Sequence, residues 1–249
     1  MKGYEGVWSQ VLPPRTPVII RVDGKAFHTA TKGLNKPFDS RVSLAMWSAT
    51  LALLKELQNA HIAYTQSDEI SILLLNYVNP LTQSWFGNKV QKMVSVAASI
   101  ATKEFTSSVY YAEELRYRNW LFDARAFSLP KDEVANYFIW RQKDAVRNSI
   151  SALARKHFSH KEMQGKSSRE LVEMLDKVGQ SWLHILQPHE RLGKLWIKKV
   201  ETDAEPYTVQ SQDFVKIRGL FDDYANIDLF STEGQLKKPE EDLLTSSSS

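Results

Sequence analysis

Three acidic residues stand where they could share chemistry: Asp23, closing the apolar run at residues 18–22, and Asp68 with Glu69 in the polar triplet Ser67-Asp68-Glu69. Carboxylates gathered in one place repel each other unless a cation lies between them. Two metal ions about 4 Å apart, bridged by carboxylates, are a common arrangement for nucleotidyl transfer. One ion activates a hydroxyl; the other holds a triphosphate and its leaving pyrophosphate. The chain contains no cysteine, which excludes disulfides, thiolate catalysis and cysteine-bound zinc. A carboxylate site then points to magnesium, manganese or calcium. Gly24 suits such a site, because a residue without Cβ lets its carbonyl approach a metal or phosphate.

Whether these acids meet depends on the elements that carry them. Val18-Ile-Ile-Arg-Val22 reads as a strand ending in a turn at Asp23-Gly24. Pro37-Phe-Asp39-Ser40 reads as a helix start, capped by Asp39 or Ser40. Leu44, Trp47, Leu51 and Leu54 follow at helical spacing and predict a helix to about Gln58. Residues 62–66 and 70–75 are strand-like, with the polar triplet as a tight turn between them. Val90, Met93, Val94, Ala97 and Ala101 share one face of a second helix. Residues 122–127 alternate as a fourth strand, ended by Pro130.

The order β-α-β-β-α-β is the split arrangement of ferredoxin-like α+β domains. Its first two strands are parallel through a right-handed crossover, and the third returns between them, antiparallel to both. The start of the third strand therefore lies beside the end of the first. That places Asp68 and Glu69 next to Asp23, across one inter-strand spacing of about 5 Å.

From Val134 onward the signals are mainly helical, with a long helix predicted over residues 140–156. Residues 195–200 and 215–218 read as late strands, and the last dozen residues as a disordered tail. With 249 residues, 43% of them apolar, the chain can bury a sizeable core. No run approaches the ~18 apolar residues of a membrane span, and residues 1–10 lack a signal pattern. A soluble, cytoplasmic protein with no membrane partner is expected. Residues 141–200 hold 13 Lys/Arg against 6 Asp/Glu, whereas residues 201–249 hold 4 against 11. The basic segment suits a phosphate backbone, or equally an ordinary solvated helical surface.

Five ordered blocks carry a more specific signal. Arg21-Val-Asp-Gly-Lys-Ala-Phe-His28, Lys36-Pro-Phe-Asp-Ser-Arg41, Ala63-Tyr-Thr-Gln-Ser-Asp-Glu69, Phe122-Asp-Ala-Arg125 and Trp140-Arg-Gln-Lys-Asp144 resemble the tRNA-His guanylyltransferase family in order and spacing. Gln164-Gly-Lys166 and the weaker Arg191-Leu-Gly-Lys194 continue the match. The resemblance implies a polymerase-palm-type catalytic core with helical additions, two Mg²⁺ ions and nucleotide addition to a tRNA 5′ end in the 3′-to-5′ direction. ATP or GTP would activate the 5′ phosphate, and another nucleoside triphosphate would then be joined to it. Asp23 and Asp68 resemble the side-chain metal ligands and Gly24 the carbonyl ligand, while Glu69, a third catalytic carboxylate in the same motif, would either complete the metal shell or act from behind it. Gly24, Lys25, Ala26, Phe27 and His28 resemble the nucleotide-binding loop, with Ser67 contributing from the hairpin.

Lys36 and Arg41 are further expected phosphate contacts. By itself His28 reads as structural, and Phe27 reads as core rather than as a stacking platform. Asp123 and Arg125 form either a buried ion pair or a site in which Arg125 faces phosphate. Arg141, Arg147, Asn148, Lys156 and Lys166 are expected near tRNA or triphosphate. Eukaryotic members carry His-Ile-Asn-Asn where this chain has Val146-Arg-Asn-Ser149. That departure resembles the bacterial and archaeal branch and implies templated repair of truncated 5′ ends. The expected division is a palm-type catalytic domain over 1–133, a helical tRNA-binding extension over 134–236 and a tail over 237–249. The resemblance also implies a homotetramer. A palm-type nucleotide cyclase and a catalytically inactive tRNA-binding module are the competing readings.

Overall fold

Val18, Ile20 and Val22 point to one face of the first strand, and Ile19, Arg21 and Asp23 to the other. This alternation buries the first set completely and leaves Arg21 and Asp23 only half-buried. The computed structural model describes residues 2–7, 9–198 and 207–209. Its core elements are β1 (Pro17–Lys25), α1 (Ser40–Glu56), β2 (Ala60–Gln66), β3 (Glu69–Leu75), α2 (Val90–Val109) and β4 (Leu121–Ser128). The long α3 (Glu133–His157), α4 (Ser168–Lys177), β5 (Lys194–Ile197) and β6 (Tyr207–Val209) follow. The sheet order is β4-β1-β3-β2-β5-β6. β3 lies antiparallel between β1 and β2, and β4 antiparallel outside β1. This is the α+β, ferredoxin-like arrangement expected from the β-α-β-β-α-β order, and it agrees with the palm-type core that the resemblance implies.

The two sheet faces bury different partners. Val18, Ile20, Val22, Ile70 and Ile72 pack against α1 and α2 through Ala45, Leu53, Met93, Ala97 and Phe105. Ile19, Tyr64, Leu73 and Leu75 pack against the first turns of α3 through Val134, Tyr137 and Phe138. A third cluster joins the last turns of α3 to α4 through Ile150, Leu153, Leu171 and Leu175.

Several boundaries depart from expectation. β1 does not stop at Asp23-Gly24: β4 continues beside it, pairing Gly24 with Phe122 and Lys25 with Leu121. The turn comes at Ala26, whose φ of 57° is left-handed. α1 ends at Glu56 rather than Gln58, and α3 begins at Glu133 rather than Trp140, because residues 134–138 have an apolar sheet face to cover. The strand expected over residues 195–200 forms as Lys194–Ile197 and pairs with β2. The region expected to be helical thus adds strands to the same sheet as well as helices beside it. The strand expected at 215–218 and the tail at 237–249 lie outside the described residues. No described helix is long and apolar enough to cross a membrane.

Asp39 caps α1, its Oδ1 accepting from the Arg41 backbone N–H at 3.0 Å and its Oδ2 from that of Asn35 at 3.3 Å. The Arg41 guanidinium binds both carboxylate oxygens, at 3.0 and 2.8 Å, and holds the carboxyl below its usual range. A depressed carboxyl stabilises the fold at neutral pH and stops doing so as it is protonated. Asp39→Ala should therefore lower stability by about 1–2 kcal/mol at pH 7. In denaturant titrations, that deficit should shrink toward zero as the pH falls below the ordinary aspartate value of 3.8.

Candidate active site

Antiparallel pairing sorts the charged residues into rows. On the face covered by α3, Asp23 lies opposite Glu69 of β3 and Asp123 of β4, and Arg21 lies opposite Ser71 and Arg125. Like charges placed directly opposite destabilise a sheet. Here an acidic row, Glu69–Asp23–Asp123, runs beside a basic pair, Arg21–Arg125, about 6.6 Å away along the strands. The first half of α3 roofs this face, and Tyr137 and Ser71 share a hydrogen bond of 2.8 Å beneath it. Asp123 and Arg125, on the edge strand, are exposed.

The β2–β3 hairpin delivers Asp68 to the same end of the sheet. Ser67 takes a left-handed φ of 50°, and the Gly24 N–H donates to the Asp68 carbonyl at 3.0 Å. That bond ties the hairpin tip to the end of β1. Burial pushes the Asp68 carboxyl above its ordinary value, and the charge on Asp23 pushes it further. Burial also raises Asp23, Asp123 adds to the rise, and Arg21, Arg125 and Arg141 oppose it. Both carboxyls are therefore poised to gain from a cation.

Glu69, the third expected carboxylate, is engaged by α3. It is buried, and its two oxygens accept from Arg141 Nε at 2.7 Å and Nη2 at 2.9 Å. Arg141 also reaches Asp144 at 2.8 Å, and Asp144 binds Arg147 at 2.7 Å. Arg141 is thus not an RNA-facing cation: it is only 5% exposed and spends its fork on two carboxylates. Arg41 departs from expectation in the same way, held by Asp39 and by Glu114 at 2.8 Å.

At the end of β1 and in the short helical turn that follows it (Phe27–Ala30), Lys25, Ala26 and His28 are exposed, whereas Phe27 is buried. The Phe27 ring packs within 5.4 Å of Phe105 and 5.1 Å of both Trp120 and Phe122. A Cβ on Gly24 would land in the Phe27 ring, so glycine is needed for this packing as well as for backbone access. Only the backbone of Phe27 can face a nucleotide. Lys36 is exposed. Asp123 and Arg125 are not a buried ion pair, since both side chains face solvent and each lies opposite its own kind. Arg147 and Asn148 are exposed beside Asp144. Lys156 stands about 22 Å farther along α3 than Arg141, and Lys166 contacts Glu170 at 3.5 Å.

Motif reading took Asp123 only as a partner for Arg125 and gave Arg21 no role of its own. A signal for them exists: Arg-x-Asp in β1 and Asp-x-Arg in β4 are reversed copies, which antiparallel pairing brings into register. Among the described residues, no group of three or more His, Cys, Asp or Glu side chains is assembled as a metal cage. Asp23 and Asp68 with the Gly24 carbonyl suit a different kind of ion. Mg²⁺ is commonly held by one or two carboxylates, with waters and substrate phosphates completing its octahedron.

The model of a family described as tRNAHis guanylyltransferase matches residues 1–130. A bacterial tRNA(His) guanylyltransferase-like protein solved in complex with ATP is 38% identical, with a TM-score of 0.85 over 92% of this chain and 98% of that one. A structure of a protein of that description in complex with GTP gives 38% identity and a TM-score of 0.77, over 91% and 97% of the two chains. A probable tRNA(His) guanylyltransferase of Mus musculus is 33% identical over 55% of this chain and 46% of its own, so the match spans about half of that relative.

Two outcomes follow from this electrostatic arrangement. Arg141→Met leaves Glu69 buried without its partner and should cost about 3–5 kcal/mol by chemical denaturation. Adding Glu69→Gln should recover a large part of that loss, because no uncompensated charge remains. For Asp23→Asn the sign follows from the raised carboxyls: without metal, wild-type stability falls as pH rises above the ordinary value of 3.8. The variant should be the more stable protein in metal-free buffer at pH 7, by about 2–4 °C. That advantage should vanish in acid and reverse when Mg²⁺ is added. A difference independent of pH and Mg²⁺ would contradict the arrangement.

Proposed function

Because the chain belongs to the tRNA-His guanylyltransferase family, we propose that it adds nucleotides to the 5′ end of tRNA, in the 3′-to-5′ direction. The observation that supports this most directly is the meeting of the acidic row through Asp23, with Asp68 from the hairpin beside it, and the basic pair Arg21–Arg125 at one end of the sheet. Such a surface suits the meeting of two phosphate chains, one on the nucleotide and one on the RNA. The 5′ monophosphate of the RNA is first activated by ATP or GTP. The 3′-hydroxyl of an incoming nucleoside triphosphate then attacks that activated phosphorus, and the activating group leaves.

Asp23, Asp68 and the Gly24 carbonyl hold two Mg²⁺ ions in this reading. When bound, the ions neutralise the phosphates and acidify the attacking hydroxyl. The protein's own groups do the rest. Lys25 and the backbone of residues 26–28 face the triphosphate, with Ser67 across from them and Lys36 farther out. Arg125 and Arg21 draw the RNA 5′ phosphate toward the acidic row. Glu69 acts through Arg141 as a positioning residue, fixing the hairpin that carries Asp68 against α3. Arg147, Asn148, Lys156 and Lys166 form an outer surface for tRNA, so the extension over 134–236 binds substrate while residues 1–133 perform the chemistry. A cytoplasmic homotetramer completes the proposal, on the family resemblance alone.

The missing His-Ile-Asn-Asn block, with Val146-Arg-Asn-Ser149 in its place, favours templated repair of 5′ ends over untemplated guanylate addition. The test is extension of 5′-monophosphorylated tRNA, intact or lacking its first nucleotide, with ATP, Mg²⁺ and each nucleoside triphosphate in turn. Only the nucleotide complementary to the opposing 3′ base should be added. Guanylate added regardless of that base would make tRNA-His maturation the activity, and no extension of any tRNA would overturn the proposal. Asp68→Ala should fold normally and lose at least ~10³-fold in rate, the order expected when a metal's electrostatic stabilisation is removed.

A further inference from the structure

Trp140 is 50% exposed although it lies one residue from the buried Arg141 and three from the buried Tyr137. Its indole is braced from one side: the Arg141 guanidinium lies 4.3 Å from the ring centroid, and the Tyr137 ring 5.9 Å away. Helical geometry sets its direction. Tyr137 leans toward β4, stacking edge-on against Phe127 at 5.7 Å, and Trp140 is rotated farther to that side of α3. Along its length α3 passes from the level of Phe127 to that of Glu69, since Tyr137 bonds Ser71 and Arg141 bonds Glu69. Trp140 therefore lies on the β4 side of α3, the side on which Arg125 is exposed.

Two cations flank this position. Arg125 is exposed on the strand below, and Arg147 lies two helical turns on along the same stripe, 61% of its side chain exposed. A braced aromatic face between exposed arginines on an open sheet edge suits a nucleobase whose phosphates need cations. The order of groups along β1 selects which nucleobase. Along β1, Lys25 and residues 26–28 lie on one side of Asp23, and Arg21 with its neighbour Arg125 on the other. The triphosphate and the RNA thus approach the acidic row from opposite sides.

We propose that Trp140 is the stacking platform for the 5′-terminal base of the RNA, whose 5′ phosphate is drawn to Arg125. The inference rests on the proposed function and adds the residue that seats the acceptor end. A stacking platform requires an aromatic ring but not an indole. Stacking on aromatics is also tolerant of base identity, which fits an enzyme that must accept whatever base ends a truncated strand.

The test uses a 5′-monophosphorylated acceptor-stem RNA with 2-aminopurine as its 5′-terminal base, bound to the full chain. Wild type and Trp140→Phe should quench its fluorescence; Trp140→Ala should not, at an unchanged thermal midpoint. In extension assays Trp140→Ala should raise KM for the RNA about tenfold, the scale of one lost base–aromatic stack, with KM for ATP unchanged. Equal quenching and equal RNA KM in Trp140→Ala, with wild type still extending RNA, would overturn this proposal alone. A rise in nucleotide KM instead would assign the indole to the incoming nucleotide and overturn it equally. A wild-type chain that neither binds nor extends RNA would overturn the proposed function and this inference with it.

Discussion

Asp23 sits where two antiparallel registers cross, with Glu69 on one neighbour and Asp123 on the other. Three carboxyls abreast in a half-buried sheet are a standing electrostatic cost, and the surrounding structure is arranged to contain it. Arg141 neutralises Glu69, Arg21 lies 3.9 Å from the same carboxylate, and the exposed Arg125 tempers Asp23 from the edge strand. Burial still raises Glu69 against the pull of Arg141 and Arg21, but Asp23 and Asp68 are raised with no guanidinium bonded to them. Their raised carboxyls mark the place where an outside cation would bring the most relief.

The Glu69–Arg141 pair also joins the two parts of the molecule. Glu69 opens β3, and Arg141 lies midway along α3, whose earlier turns cover the sheet and whose later turns pack on α4. A bidentate guanidinium–carboxylate pair fixes distance and angle together. The hairpin tip bearing Asp68 is thereby held in register with the helical part. Asp144 extends the chain of charge to Arg147 at the surface. The acidic row and the proposed RNA surface are thus connected by three consecutive ion pairs rather than by packing alone.

On the opposite face the same end of β1 is fixed by apolar contacts. Phe27 inserts among Phe105, Trp120 and Phe122, and the missing side chain of Gly24 makes room for its ring. The segment at residues 26–28 therefore leaves β1 with its one large side chain anchored inward. Lys25 and His28 stay exposed because the anchor between them absorbs the turn.

Much of this was legible in the chain itself. The β-α-β-β-α-β order follows from local periodicity, and topology rules then bring the start of β3 beside the end of β1. The meeting of Asp23 with the Ser67-Asp68-Glu69 hairpin required no side-chain geometry, and the absence of cysteine removed whole classes of chemistry. Only the tertiary structure decided how the charges are spent. Arg141 and Arg41, which read as phosphate contacts, are consumed by Glu69 and by Asp39 with Glu114, while Asp123 and Arg125 stand open on an edge strand. Periodicity assigns a residue to a face; whether an ionic group is free depends on which side chain from a distant element comes within about 3 Å of it, and that distance exists only once the sheet and α3 have packed.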